Sequence, residues 1–164
     1  MEHGPNQSEE RSAEVKRPRN SFSSRVDEKG RLKLPAEIDR YLRSLLAVDV
    51  YITSFDGRSA RIYSSTEWEK QEALLEAPGE HADWGETLLR RARAYGSDTS
   101  IDNQGRVLMP NRLRRAMDVE NQAVMLTCMK GHVEVLSEAV FEEKLAPEAD
   151  TSTMLRHFAQ MGLR

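Results

Sequence analysis

The chain has 164 residues, 38% of them hydrophobic and 31% charged, with a formal net charge of −3. That is long enough for one compact domain or for two small units sharing a core, and no apolar run approaches the ~18 residues of a membrane span. Its one cysteine, Cys128, excludes an intramolecular disulfide and fits a reducing compartment, the cytoplasm by default.

Residues 1–19 are polar and lack the apolar stretch of a secretory signal; their composition predicts a disordered lead-in. A first unit, 20–65, opens with a strand over "SFSSRV" and a tight turn at Asp27-Glu28-Lys29-Gly30. Gly30 takes the left-handed conformation at little cost, and the Asp27 carboxylate can accept N–H bonds within the turn. In "RLKLP" the alternation sets Leu32 and Leu34 on one strand face, with Arg31 and Lys33 on the other. Pro35 suits the first turn of a helix, and Ile38, Leu42, Leu45 and Leu46 give that helix an apolar stripe. "VDVYITSF" and "ARIYSS" follow as strands joined through Asp56-Gly57.

Residues 66–96 read as a helical linker. Thr66 is placed to cap "EWEKQEALLEA", Pro78-Gly79 breaks that helix, and a second runs from about Trp84 to Tyr95 and stops at Gly96. Trp68 and Trp84 are expected to be packing anchors. The second unit, 97–146, repeats the order. "SDTSI" is a strand, Asp102 to Gly105 a turn, "RVLM" a strand, and Pro110 to Met117 a short helix. "QAVMLTCM" and "HVEVL" are strands around Lys130-Gly131, before a helix near Ser137 to Leu145. The tail, 147–164, is expected to be a frayed helix or disordered.

The repeat is specific at one place. "VDEKGRLKLP" (Val26 to Pro35) returns 75 residues later as "IDNQGRVLMP" (Ile101 to Pro110), with Asp, Gly, Arg and Pro at matching positions. Such regularity points to two similar units. Each offers too little apolar surface to close a core alone, so two in tandem are expected to complete one mixed sheet or small barrel. Charge follows the repeat. Residues 21–43 sum to +2 and 88–115 to +5, while 44–87 sum to −6 and 116–164 to −4. Both motifs thus lie in the positive windows, which favours an anionic partner.

Gly30, Gly105, Pro35 and Pro110 are structural by type. Asp27 and Asp102 fit common turn carboxylates. Arg31 and Arg106 have two open readings: an ion pair across the turn, or a guanidinium buttressed by Asp and aimed at phosphate or a guanine edge.

With their Asp-x-x-x-Arg cores, the two motifs closely resemble those of the MraZ family, tandem members of the SpoVT/AbrB group. The resemblance covers about residues 20–145, including "EWEK" after the first unit. It implies an α+β, β-rich fold: two tandem β-turn-β-α-β-β AbrB-like, swapped-hairpin units forming one pseudo-twofold domain with linker helices. It further implies a ring-shaped homo-oligomer that binds double-stranded DNA at direct repeats upstream of the division and cell-wall gene cluster. Such a protein is a transcription factor of the cytoplasm and nucleoid, without a cofactor. By motif position the DNA-binding residues are Asp27 with Arg31 and Asp102 with Arg106. Arg25, Lys29 and Lys33 add positive charge around the first. The chain departs from the family in about twenty residues before the first strand and in Leu136 where a tryptophan is usual; Leu108 corresponds to Lys33, which makes the second motif the less polar copy.

The alternative reading is an AbrB-like protein-interaction module, an antitoxin or adaptor, using its acidic linker or tail. An enzyme fits least. His3, His81, His132 and His157 are scattered without metal-ligand spacing, and Cys128 lies in an apolar strand pattern. There is no Gly-rich phosphate loop or nucleophile elbow.

Overall fold

A computed structural model describes residues 15–147 and 150–164. Residues 1–14 of the expected lead-in, and 148–149 of the expected tail, lie outside the described residues. Residues 15–19 run without helix or strand.

The first half of the chain runs β1 (Ser21–Arg25), β2 (Arg31–Lys33), α1 (Ala36–Ser44), β3 (Asp49–Thr53), β4 (Ser59–Ser64) and α2 (Ser65–Leu75). After α3 (Ala82–Tyr95), the order returns as β5 (Ser97–Ser100), β6 (Arg106–Leu108), α4 (Asn111–Met117), β7 (Ala123–Met129), β8 (His132–Ser137) and α5 (Glu138–Leu145). The fold is α+β with six helices among the described residues, the last being α6 (Thr151–Gln160). No described helix is long and apolar enough to cross a membrane.

Six strands form one sheet in the order β1-β7-β8-β4-β3-β5, and β2 pairs with β6 separately. Every pairing is antiparallel, which corrects the expected mixed sheet: hairpins set β3 against β4 and β7 against β8, and the added strands also run against their partners. The first strand of each half pairs inside the other, β1 on β7 and β5 on β3. One core results. Leu32, Ile38, Ile52 and Ile62 pack with Val107, Leu113, Leu126 and Val135, so apolar burial joins both halves. A second cluster, Tyr51, Tyr63, Trp68 and Ala92, lies where α3 covers β3 and α2. Tyr51 stacks on Trp68 at 4.6 Å between ring centres.

Three local expectations change. Helix α2 is capped by Ser64, whose hydroxyl accepts the Glu67 N–H at 3.1 Å, and not by Thr66. The stripe of α1 ends at Leu42. Ala47 N donates to Leu42 O at 2.9 Å and Leu46 N to Arg43 O at 3.0 Å, a closure that turns Leu46 left-handed (φ 57°). Leu45 and Leu46 are therefore exposed, Leu46 by 90%. Trp68 is buried as expected, whereas Trp84 is 61% exposed and stacks on His81.

Candidate nucleic-acid interface

Both motifs fold into the same turn. Asp27 N donates to Arg31 O at 2.9 Å and Gly30 N to Asp27 O at 3.0 Å. The carboxylate completes it. Asp27 Oδ1 accepts the N–H groups of Lys29 and Arg31, each at 2.9 Å, and Oδ2 accepts Arg31 Nε–H at 2.8 Å. The second turn matches it. Asp102 Oδ1 accepts from Gln104 N and Arg106 N at 2.9 Å, and Oδ2 from Arg106 Nε at 2.9 Å. Gly30 (φ 81°) and Gly105 (φ 72°) hold the left-handed position that a Cβ would strain.

The Arg31 backbone N–H, helped by its guanidinium and by the Lys29 N–H, holds Asp27 below the ordinary carboxylate value despite some desolvation. Arg106 and Gln104 do the same for Asp102. The Nε contact uses one of five guanidinium N–H donors and leaves four on the terminal nitrogens. Arg31 and Arg106 side chains remain 31% and 25% exposed.

The turns are joined through β2 and β6. Leu34 N donates to Gly105 O at 2.8 Å and Met109 N to Gly30 O at 2.9 Å, so each turn glycine is held by the other half. In the register Arg31↔Leu108, Leu32↔Val107 and Lys33↔Arg106, the residues alternate between two faces. Leu32, Leu34, Val107 and Met109 point into the core. Arg31, Lys33, Arg106 and Leu108 form the outer face, which brings three of the expected site residues together around one exposed leucine. Lys29 is exposed in the first turn. Arg25 departs from this cluster: its Nη2 donates to Asn121 O at 2.6 Å, in the loop before β7.

The surroundings of the turns differ. Gly30 rests on Arg114 of α4; a Cβ there would fall 1.9 Å from Arg114 Nη1. Arg114 is fixed by donating to Met109 O at 2.6 Å and Asn111 Oδ1 at 3.0 Å. Gly105 instead faces Asp39 of α1 and Lys33 Nζ, 3.4 and 3.3 Å from its own Cβ position. Asp39 accepts Arg43 Nε–H at 2.8 Å, Arg43 Nη2 donates to Asp102 O at 2.7 Å, and the Lys33 ammonium donates to Gln104 O. Sequence reasoning missed Arg114, Asp39 and Arg43. Arg114 lay in the +5 window, but nothing local marks which arginine reaches across to the other half's turn.

The remaining candidates for chemistry lie apart. Burial first, then the Arg61 cation, lowers the half-buried His132 to about 4. Burial pushes the Cys128 thiol up, away from a reactive thiolate. Among the described residues no group of three His, Cys, Asp or Glu is placed to hold a metal ion.

No protein-family model matches the chain. Curated relatives do. A protein of Acidobacterium capsulatum described as transcriptional regulator MraZ is 35% identical over 145 residues, 88% of this chain and 99% of its own length. One of the same description from Koribacter versatilis is 36% identical over 109 residues, 66% of this chain and 74% of its own length. A third, from Herpetosiphon aurantiacus, is 30% identical over 143 residues, 87% and 96% of the two lengths.

Proposed function

Because the chain belongs to the MraZ family of transcriptional regulators, we propose that it binds double-stranded DNA sequence-specifically through the paired Asp–Arg turns and the ribbon between them. The observation that carries this is the outer face of β2 and β6, where Arg31, Lys33 and Arg106 stand together on a rigid two-stranded element. A two-stranded ribbon fits the ~12 Å major groove, and a guanidinium held at Nε can present a bidentate fork to guanine O6 and N7. Lys29 adds phosphate attraction, while Asp27 and Asp102 orient their arginines.

The reading extends to architecture. Residues 20–65 and 97–146 are two AbrB-like units in a swapped-hairpin, pseudo-twofold arrangement, supported by the exchange of β1 and β5 between halves. The helical linker is 66–96, with an N-terminal extension, 1–19, and a tail, 147–164. The targets are direct repeats upstream of the division and cell-wall gene cluster. A ring-shaped homo-oligomer in the nucleoid engages several at once, which raises effective concentration without new contacts. The protein acts as a regulator and not as an enzyme, with no cofactor or small-molecule substrate.

The test is binding of the purified protein to its own upstream DNA, against scrambled competitor, with oligomer mass measured alongside. DNA carrying one, two or three boxes should bind with increasing affinity. Equal affinity for one box and three would remove the multivalent part. Indifference to scrambling would remove sequence recognition.

A further inference from the structure

Helix α6 has no account in the function above. All ten of its residues are exposed, with Met154, Leu155 and Phe158 each more than half so. Yet it is closed at both ends. The Asp150 carboxylate accepts the Thr153 N–H, and Gly162 N and Leu163 N donate to Ala159 O and Phe158 O. A ten-residue helix is marginal alone in water, so its stability must come from packing that apolar face.

The first half of the chain shows what such a helix does. Helix α3 follows α2 as α6 follows α5, buries Leu89, and sets Ala92 against Tyr51, Tyr63 and Trp68. Ala92 O accepts from Thr53 Oγ1 at 2.7 Å. The stretch Thr87-Leu88-Leu89-Arg90-Arg91-Ala92 has a counterpart in Thr153-Met154-Leu155-Arg156-His157-Phe158, with apolar residues at the same spacing. The receiving surface has one too. Met125 pairs with Leu136 as Tyr51 pairs with Tyr63, and Phe141 follows the capping Ser137 by four residues as Trp68 follows Ser64. Met125 and Phe141 line an open depression with Ala139, Glu138 and Glu142. The sizes complement: large rings receive Ala92 in the first half, and smaller residues would receive Phe158 in the second. Charge agrees, since 151–164 carries Arg156 and Arg164 and no acid, against Glu138 and Glu142 beside the depression; Glu143 is already paired with Arg58.

We infer that α6 of one copy seats on the β7–α5 face of a second copy, in the place α3 occupies on β3 and α2. Its own chain is the wrong partner. Gly85 lets α3 cross the end of α2, where a Cβ would come within 2.1 Å of Leu75 O; Thr151 stands at that position in α6. Helix α5 also ends three residues sooner than α2, and Ala146 before Pro147 is extended. Because helix and seat are different surfaces, the contact is head-to-tail and propagates until a ring closes. This rests on the assembly part of the proposed function.

Phe158→Asp should drop the mass from the assembled state to that of one chain, while Gln160→Asp, on the opposite face of α6, leaves it unchanged. In a Cys128→Ser background, copies carrying Phe158→Cys mixed with copies carrying Met125→Cys should give a covalent dimer on oxidation. An assembled Phe158→Asp variant overturns the inference and leaves DNA recognition standing. A doubly substituted copy that closes its disulfide within itself, with no covalent dimer from the mixture, overturns it in favour of docking within one chain. Should the unaltered protein be a single chain, this contact and the ring both fall.

Discussion

The two turns, 27–31 and 102–106, have the same backbone and different neighbours. Five hydrogen bonds recur in each within 0.1 Å, from the Asp carboxylate to the glycine N–H. Around them little is shared. Lys29 is matched by Gln104 and Lys33 by Leu108, although the Lys33 ammonium itself reaches Gln104 O in the second turn; the first turn lies on Arg114 of a helix with three arginines and no acid, the second on Asp39 of a helix whose charges cancel. Geometry is thus written within five residues, whereas part of the charge around it comes from the first helix of the opposite half. The two copies share the holder of the arginine and differ in the charge around it, with the surplus of positive charge at the first turn.

The largest expected effect tests that difference. Arg31→Ala and Arg106→Ala should leave folding and mass nearly intact and weaken operator binding, by roughly 5- to 150-fold for an arginine reading a base. The loss should be larger at Arg31. Equal losses in a titration would break the asymmetry, and unchanged affinity in both would hand the site to the interaction-module reading. Next come the glycines. Gly30→Ala and Gly105→Ala each force a left-handed residue, at about 1–2 kcal/mol. Gly30→Ala also displaces Arg114 from the Met109 carbonyl, so its melting temperature should fall further, by several degrees. Matching melts would mean that Arg114 does not brace the first turn.

A smaller change should come from Lys33→Leu, which gives the first strand the residue of the second. Affinity should drop alike for all sequences, and the salt dependence should flatten by about one phosphate contact. The smallest difference is expected from acid. Both carboxyls have folded pKa values below 3.8, so the stability they contribute is complete above that value and disappears as pH falls through the lowered pKa. The melting gap between the unaltered protein and Asp27→Asn, or Asp102→Asn, should hold from pH 5 to 8 and narrow below about 4. Unlike acid profiles at the two sites would show that the turns are less equivalent than their bonds.

The turns were legible because the bonds that close them are local. Asp, Gly and Arg act within five residues, and the alternation of Leu32, Leu34, Val107 and Met109 assigns the buried face. Helix ends were harder where two signals compete. Ser64 with Glu67 and Thr66 with Glu69 are overlapping capping patterns, and the pairing of Ser64 with Val50 in the sheet selects the first. Leu46 hid a helix stop, since a left-handed closure usually advertises itself with glycine. Arg114 meets Gly30 across 84 residues, a contact no local pattern carries. The tail carries little periodic signal, and the described residues offer helix α6 no cover.

The pairing of β1 with β7 also sets a timetable. Ser21 Oγ meets Thr127 Oγ1 across 106 residues, so on the ribosome the first strand to emerge waits for nearly the last. At about 5–20 residues per second that interval is roughly 5–20 s. During it β3 and β4 can close their hairpin, but β1 has no partner and β2 no β6. The polar serines of β1, Ser21, Ser23 and Ser24, keep this waiting strand hydrated, and the ribbon that joins the two turns forms only when the second half has been made.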